Sequence, residues 1–419
     1  MKLKWDKYSD QPEVIKDRAL KKQIYKEVRW DSFKMLVTNL VVYPICLLFY
    51  YLSPSKEIAQ DNNTFFGMSI NLDKNPEATK ALIEDLGVKN LLIRMPLHDI
   101  ENLQSYVAFA EEYQDRNILI NILQDRRHVE DHELLKQSLD KIFDAFQHVS
   151  SRFQIGNAVN RKKWVIFSMG EYLQFYKVAF DLRNEKFPNL VLLGSSIIDF
   201  EYYFTIQTLF NFQKVHFDQC STLLYVDRRG APENAQMGFD LSKKLKLLQA
   251  ITRMSSKTGS EIVITETNWP ITQTHPYAPT SENDCVTLEE HADFLVRYYL
   301  LALATGVVKN VYWHQLIAPG YGLIDNRNDE LIKYPAYQAF KVMLAFLQGA
   351  NFQKMTRDNE MYRLTLLKDD RQIEVVWALI EQEITIENQQ VFSRDGDDIT
   401  CKKQLITGSP IYLVSKNNL

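Results

Sequence analysis

Residues 190–226 read LVLLGSSIIDFEYYFTIQTLFNFQKVHFDQCSTLLYV. Two apolar runs, Leu190–Ile198 and Ser221–Val226, flank a helical pattern over 200–213. Strands buried on both faces read as unbroken apolar runs, and strand–helix–strand alternation gives a parallel sheet. The same unit recurs on either side. Toward the N-terminus the runs are Arg152–Gly156 (helix 168–186), Ile118–Leu123 (helix 128–149), Leu91–Met95 (helix 98–113) and Phe65–Ile70. The helix after Phe65–Ile70 starts at Pro76, with Asn75 before it and Gly87 after its end, the expected cap asymmetry. Toward the C-terminus, a helix over 233–257 follows the quoted stretch. Then come Ile262–Glu266 with 287–305 and Lys309–Gln315 with 334–348. Eight such units over 64–349 predict a closed (β/α)8 TIM barrel, an α/β fold with its chemistry at the C-terminal strand ends. A doubly wound sheet would need a Gly-rich phosphate turn after the first strand, and none is there.

The flanks differ in character. Over 350–419, the runs Tyr362–Leu367, Gln372–Leu379, Gln382–Glu387 and Pro410–Val414 alternate or run apolar between polar turns. They predict a small β-sandwich. Met35–Leu52 is an uncharged run of 18 residues, the length of a minimal membrane span. Residues 1–34 read as a charged amphipathic helix, with Trp5 and Trp30 as interfacial anchors, and carry ten Lys/Arg against six Asp/Glu. Residues 53–73 hold one Lys against three acids. The positive-inside rule then puts 1–34 in the cytoplasm, 35–52 across a bacterial inner membrane, 53–63 as a linker and the barrel on the periplasmic side. Thr38, Asn39 and Pro44 weaken the span and fit a buried or interfacial helix instead. A net charge of −4 over 419 residues has no basic excess for nucleic acid. Four cysteines without C-x-x-C spacing form neither a disulfide framework nor a zinc site. No cofactor or metal is implied.

The strand ends carry the candidate chemistry. The seventh ends in VITETNWP, setting Glu266 where a barrel holds a reactive group. A carboxylate there attacks an anomeric carbon, or else pairs with an arginine in the mouth. Trp269 just beyond suits a sugar platform. Asn157 ends the fourth strand and suits a bond to a ring hydroxyl. Tyr225 ends the sixth, where a phenol bonds a carboxylate and keeps it ionised. Trp313, His314 and Gln315 end the eighth, Asn71 follows the first, and Arg94 ends the second as electrostatic support for Glu266.

The strings GNAVNRKKW, EYLQFY and FPNLVLLG, followed by TETNWP, VYWHQL, GLID and YPAYQAF, resemble in order and spacing the retaining glycoside hydrolases of clan A, similar to family 39. The resemblance covers roughly 64–415. It implies a carbohydrate ligand, Glu266 as nucleophile, Asn157 on the sugar 2-hydroxyl, and Trp313 closing the site. It also implies an acid/base glutamate after the strand-four asparagine, where this chain has Ala158. A methyl group cannot protonate a leaving group, help that is worth about 10²–10⁴-fold. Four readings follow: a pseudo-glycosidase that binds glycan without turnover; transfer from a donor whose leaving group needs no proton; a proton from Asp125, His128, Asp199, Glu201 or Asp227; or an acid carried by the substrate. With a membrane helix, the expected partner is an envelope polysaccharide or lipopolysaccharide.

Other signals read as ordinary surface or packing. His128 and His132 lack the metalloprotease spacing and read as a solvated helix face. Asp227-Arg228-Arg229 reads as a solvated turn or a partner for an anionic sugar, and Lys162-Lys163 shares that ambiguity. Lys243, Lys244 and Lys246 read as an exposed face. The Tyr202-Tyr203 and Tyr298-Tyr299 pairs read as packing.

Overall fold

A computed structural model describes residues 4–328 and 330–416. Eight parallel strands close a barrel in chain order: β1 (Phe66–Ile70), β2 (Asn90–Pro96), β3 (Asn117–Leu123), β4 (Arg152–Ile155), β5 (Val191–Ile198), β6 (Gln219–Leu223), β7 (Ile262–Thr267) and β8 (Val308–Trp313). Closure is by β8 on β1, with Met68 opposite Trp313. Leu92, Leu119, Leu193, Val263 and Tyr312 fill the interior. Gly67 leaves the room that Tyr312 occupies, since a Cβ there would lie 2.6 Å from the ring.

Around the barrel run α3 (Pro76–Leu86), α4 (Leu103–Glu111), α5 (Arg126–Glu130), α6 (His132–Phe146), α7 (Met169–Lys186), α8 (Tyr202–Leu209), α9 (Leu241–Arg253), α10 (Leu288–Ala304) and α11 (Pro335–Leu347). The single helix expected over 128–149 is broken at Asp131, whose carboxylate caps α6 by accepting from Glu133 and Leu134 N–H. The helix expected over 233–257 is shorter because Asp240 caps it at Lys243 N–H. Within it Lys244 is buried rather than exposed, its ammonium 5.1 Å from the Phe200 ring centroid. The tyrosine pairs do pack, except that Tyr203 stays partly exposed.

The C-terminal region is antiparallel. After a short ribbon of β9 (Ile324–Asp325) and β10 (Ile332–Lys333) come β11 (Asn351–Asp358), β12 (Met361–Lys368), β13 (Arg371–Ala378), β14 (Gln382–Thr385), β15 (Gln390–Phe392), β16 (Lys403–Ile406) and β17 (Ile411–Lys416). They form a five-stranded sheet, β11-β12-β13-β17-β15, and a β14-β16 pair. This sandwich is tied to the barrel by buried polar groups. Trp377 Nε1 donates to Glu233 Oε1 at 2.8 Å, and Glu233 pairs with Arg297 of α10. Arg394 reaches Asp293 at 2.7 Å and Glu289 at 2.8 Å.

The N-terminal region departs most from expectation. Residues 1–34 do not form one helix. Lys4–Glu13 close as a hairpin, Asp6 N–H donating to Gln11 O at 2.9 Å and Glu13 N–H to Lys4 O at 2.7 Å. Pro12 offers no N–H to a helix, and α1 (Arg18–Glu27) starts only where Asp17 caps it. The expected span 35–52 lies inside α2 (Arg29–Leu52), which at 24 residues is about 36 Å long, enough to cross a bilayer. Here it lies against the barrel. Asp31 accepts from Ser168 Oγ at 2.5 Å at the mouth end, and Arg253 Nη1 donates to Pro54 O at 2.8 Å at the other. Val42, Tyr43, Cys46, Leu47 and Tyr50 pack inward. Phe33, Leu36, Leu40, Ile45, Leu48 and Leu52 face outward, exposed. Asn39, one of the residues that weakens the span, donates to Tyr203 O of α8 at 2.9 Å.

A bilayer crossed by 35–52 would separate residues 1–34 from the barrel. In the structure the hairpin rests on the barrel mouth, on the same face as Glu266. The 53–63 linker is also packed, crossing the far end of the barrel through Ile58 N–H to Gly306 O (2.8 Å) and Gln60 to Val308 O (3.0 Å).

Candidate active site

Glu266 sits one residue before the end of β7, between buried Thr265 and Thr267. Tyr225 OH donates to its Oε1 at 2.5 Å, and Asn157 Nδ2 donates to Oε2 at 3.3 Å. Burial alone would push the Glu266 pKa up. The charges of His314 and Arg94 and the two hydrogen bonds outweigh it and hold the carboxyl below its ordinary range. His314 is itself pushed down by burial, against the pull of Glu266. Arg94, almost fully buried at the end of β2, is therefore a permanent cation of the site, as are Arg161 and Arg229 in the same cavity lining.

Asn157 is aimed by its neighbours. Asn121 Nδ2 donates to its Oδ1 at 3.1 Å, Gln124 Nε2 donates to its carbonyl at 2.7 Å, and its own N–H donates to Gln124 Oε1 at 2.8 Å. With Oδ1 taken by a donor, the amide nitrogen faces the carboxylate. Sequence reasoning missed Asn121 and Gln124. Their signal was a polar side chain within, and another just past, the otherwise apolar third strand. It also left Arg229 open. Its guanidinium lies 3.8 Å from the Tyr225 ring centroid and lines the cavity.

Ala158 has φ +46° and is buried among Leu123, Trp164, Leu223 and Tyr225, with Trp5 and Ile198 packed against that cluster. The position where the resemblance implies an acid/base group is thus apolar and covered. Among the five substitute donors, Asp199 lines the Glu266 cavity, its carboxylate bound by Arg161 Nη2 at 2.6 Å. Glu201 is bound by Arg161 Nη1 and Asn160 Nδ2, both at 2.7 Å. Asp125 and His128 are buried together at the start of α5, His128 also meeting Ser138 Oγ at 3.0 Å, so His128 is not a solvated face residue. Asp227 faces a neighbouring depression instead.

The two expected sugar platforms are not in the cleft. Trp269 and Trp313 are 0% exposed and stack on each other at 5.8 Å. Trp269 Nε1 donates to Gly230 O at 2.9 Å, and its ring packs on Phe294 and Tyr298 of α10. Trp313 packs on His291 and Tyr299 of the same helix. Both therefore belong to the core between barrel and helix. The aromatic groups at the cleft are Trp164, Tyr225 and Tyr321, with His314 stacked on Tyr321 at 5.7 Å. Gln315 is buried behind the wall and Asn71 is nearly buried after β1. The remaining cavity is about 240 Å³, with Ser9, Asp10 and Gln11 of the hairpin as one wall.

His291 under the site has a pH consequence. Burial lowers its pKa from 6.5 to about 4. The unfolded chain binds this proton below 6.5 while the folded chain does not, so stability rises with pH across that window. The site withholds roughly 3 kcal/mol by the acid end. Urea unfolding from pH 4 to 7 should therefore show a shallower slope in His291→Asn than in the native chain. An unchanged slope would remove this imidazole from the account.

The fold is a (β/α)8 barrel with an appended β-sandwich, and solved structures share it. Similar solved structures are a family 39 glycoside hydrolase from the gut symbiont Bacteroides cellulosilyticus WH2 (16% identity, TM-score 0.65, covering 85% of this chain and 81% of that one) and a family 39 β-xylosidase from Caulobacter crescentus (10% identity, TM-score 0.58, 87% and 98%). A family 30 endoxylanase from Clostridium papyrosolvens C71 is also similar (13% identity, TM-score 0.56, 87% and 98%). No family model matches the chain, and no curated protein matches it in sequence.

Proposed function

We propose that this protein is held at a membrane by α2 and takes a cell-envelope glycan, a polysaccharide or lipopolysaccharide, into the Glu266 cleft. There it performs nucleophile-based glycosyl cleavage or transfer on donors whose leaving group departs without a proton. The observation that carries this reading is the treatment of Glu266. Tyr225, Asn157, Arg94 and His314 all favour its anion, which is what attack on an anomeric carbon needs. The missing acid limits the donors to those that leave as stable anions, such as a sugar phosphate. Trp164 and Tyr321 replace Trp269 and Trp313 as the proposed sugar-facing aromatics, and Asn157 remains the proposed 2-hydroxyl partner.

For attachment, the outer stripe of α2 suits burial in one leaflet of the inner membrane, with the barrel periplasmic. The hairpin contacts need residues 4–13 on the same side as the cleft, so a helix lying in the interface fits better than one that crosses. A second reading, a pseudo-glycosidase that binds glycan as an assembly factor, is favoured by the apolar cover over Ala158.

Turnover by the full chain in detergent distinguishes the two. Dinitrophenyl glycosides should release dinitrophenolate while the matching methyl glycosides stay intact. No release across a broad sugar panel, with glycan binding preserved, would establish the binding-only reading.

A further inference from the structure

The hairpin puts one carboxylate into the cleft, and the barrel receives it with a dedicated set of donors. Asp10 has φ +47°, a left-handed turn that aims both its side chain and its carbonyl at the barrel. Lys74 Nζ, from the loop after β1, lies 3.1 Å from Asp10 Oδ1. Gln315 Nε2 donates to Oδ2, and Tyr321 OH donates to the same oxygen at 3.3 Å. Arg94 Nη1 donates to the Asp10 carbonyl at 3.2 Å. Arg94, Gln315 and Tyr321 are 5%, 0% and 2% exposed. Three strand ends or loops of the barrel thus converge on one anion, next to Glu266 in the same cavity.

The receptor belongs to the barrel and the occupant to the hairpin. Beyond the hairpin, the charges around the cavity are unbalanced. Asp199 is committed to Arg161, while Lys163 meets Gln11 of the hairpin. Without the hairpin, Lys74 keeps the exposed Asp73 carboxylate, 3.9 Å away, and Arg94 keeps Glu266 and Asp73 as counter-charges. A neutral sugar would leave these cations poorly matched, whereas a sugar carboxylate would replace Asp10. Arg94 Nε and Gln315 Oε1, both buried, have no partner among the described residues.

The geometry points to a subsite for the carboxylate of an acidic sugar, formed by Lys74, Arg94, Gln315 and Tyr321 and occupied in the docked state by Asp10 of the N-terminal hairpin. This rests on the glycan reading of the cleft and names the class of sugar. The hairpin is a tethered competitor, present at the high effective concentration of an intramolecular ligand. A glycan binds in full only by displacing it.

The test is calorimetric titration of the full chain in detergent with methyl β-D-glucuronide, methyl β-D-glucoside and glucose 6-phosphate, comparing the native chain with Asp10→Ala and with Asp10→Ala/Lys74→Gln. Asp10→Ala should bind the glucuronide about tenfold more tightly or better, with the glucoside little changed. Adding Lys74→Gln should reverse the gain, and since Lys74 is partly exposed this change leaves the core intact. Equal binding of glucuronide and glucoside, unaffected by Asp10→Ala, would overturn the carboxylate subsite while leaving the glycan cleft standing. Tightening for the sugar phosphate alone would also overturn it. No binding of any of the three by either variant would remove both this inference and the glycan reading.

Discussion

Glu266→Gln is expected to lower the release of dinitrophenolate from dinitrophenyl glycosides by on the order of 10³-fold or more, to the buffer rate. Removing the nucleophile of a hydrolase costs up to about 10⁶-fold where all other groups are in place. The proposed mechanism has no acid step, so the loss expected here is smaller. Gln keeps the shape and can still accept from Tyr225, so the fold and the cleft should persist while the attacking charge is gone. Azide sharpens the measurement. It replaces a missing carboxylate only if it reaches the space beside Ala158, and that space is covered by Trp5. Azide stimulation should therefore be small in the native chain, larger in Trp5→Ala, and absent once Glu266→Gln is added. Turnover that survives Glu266→Gln would exclude this carboxylate as the nucleophile.

Trp269→Ala is expected to cost about 3–5 kcal/mol of stability, the usual range for emptying a buried tryptophan site. For a domain of this size that lowers Tm by on the order of 10 °C. The ring is fully buried, stacked on Trp313 and bonded to Gly230 O, so the change opens a cavity and also leaves a carbonyl without its donor. Glycan affinity per folded molecule should barely move. A sugar platform would show the reverse, with lost affinity and an unchanged Tm. Chemical denaturation and calorimetric binding on the same preparation separate the two.

These predictions rest on features with different origins in the chain. The eight strand–helix units were legible because each is encoded locally: apolar runs of strand length, helical periodicity, and caps such as Asn75 and Gly87. Glu266, Asn157, Tyr225, Arg94 and His314 were legible for a related reason. A parallel barrel brings all its strand ends to one face, so a polar residue just past an apolar run has one destination. Ala158 was legible as the residue after Asn157.

The direction of a side chain around a closed barrel was not legible. Trp269 and Trp313 occupy strand-end positions, like the true cleft residues, but they turn toward α10 because Phe294, Tyr298, Tyr299 and His291 offer a buried surface there. Nor was the pairing of Asp199 with Arg161, which joins residues 38 positions apart.

By itself, then, the amino-acid sequence determined the barrel, the sandwich, the apolar helix and the strand-end carboxylate, all properties of short segments and their order. Only the tertiary structure decided which aromatics face the cleft, that α2 lies along the barrel, and that Asp10 is held by Lys74, Arg94, Gln315 and Tyr321. The reason is physical. Those outcomes depend on which distant surfaces bury one another and which distant charges pair, and neither periodicity nor local charge counts carry that information.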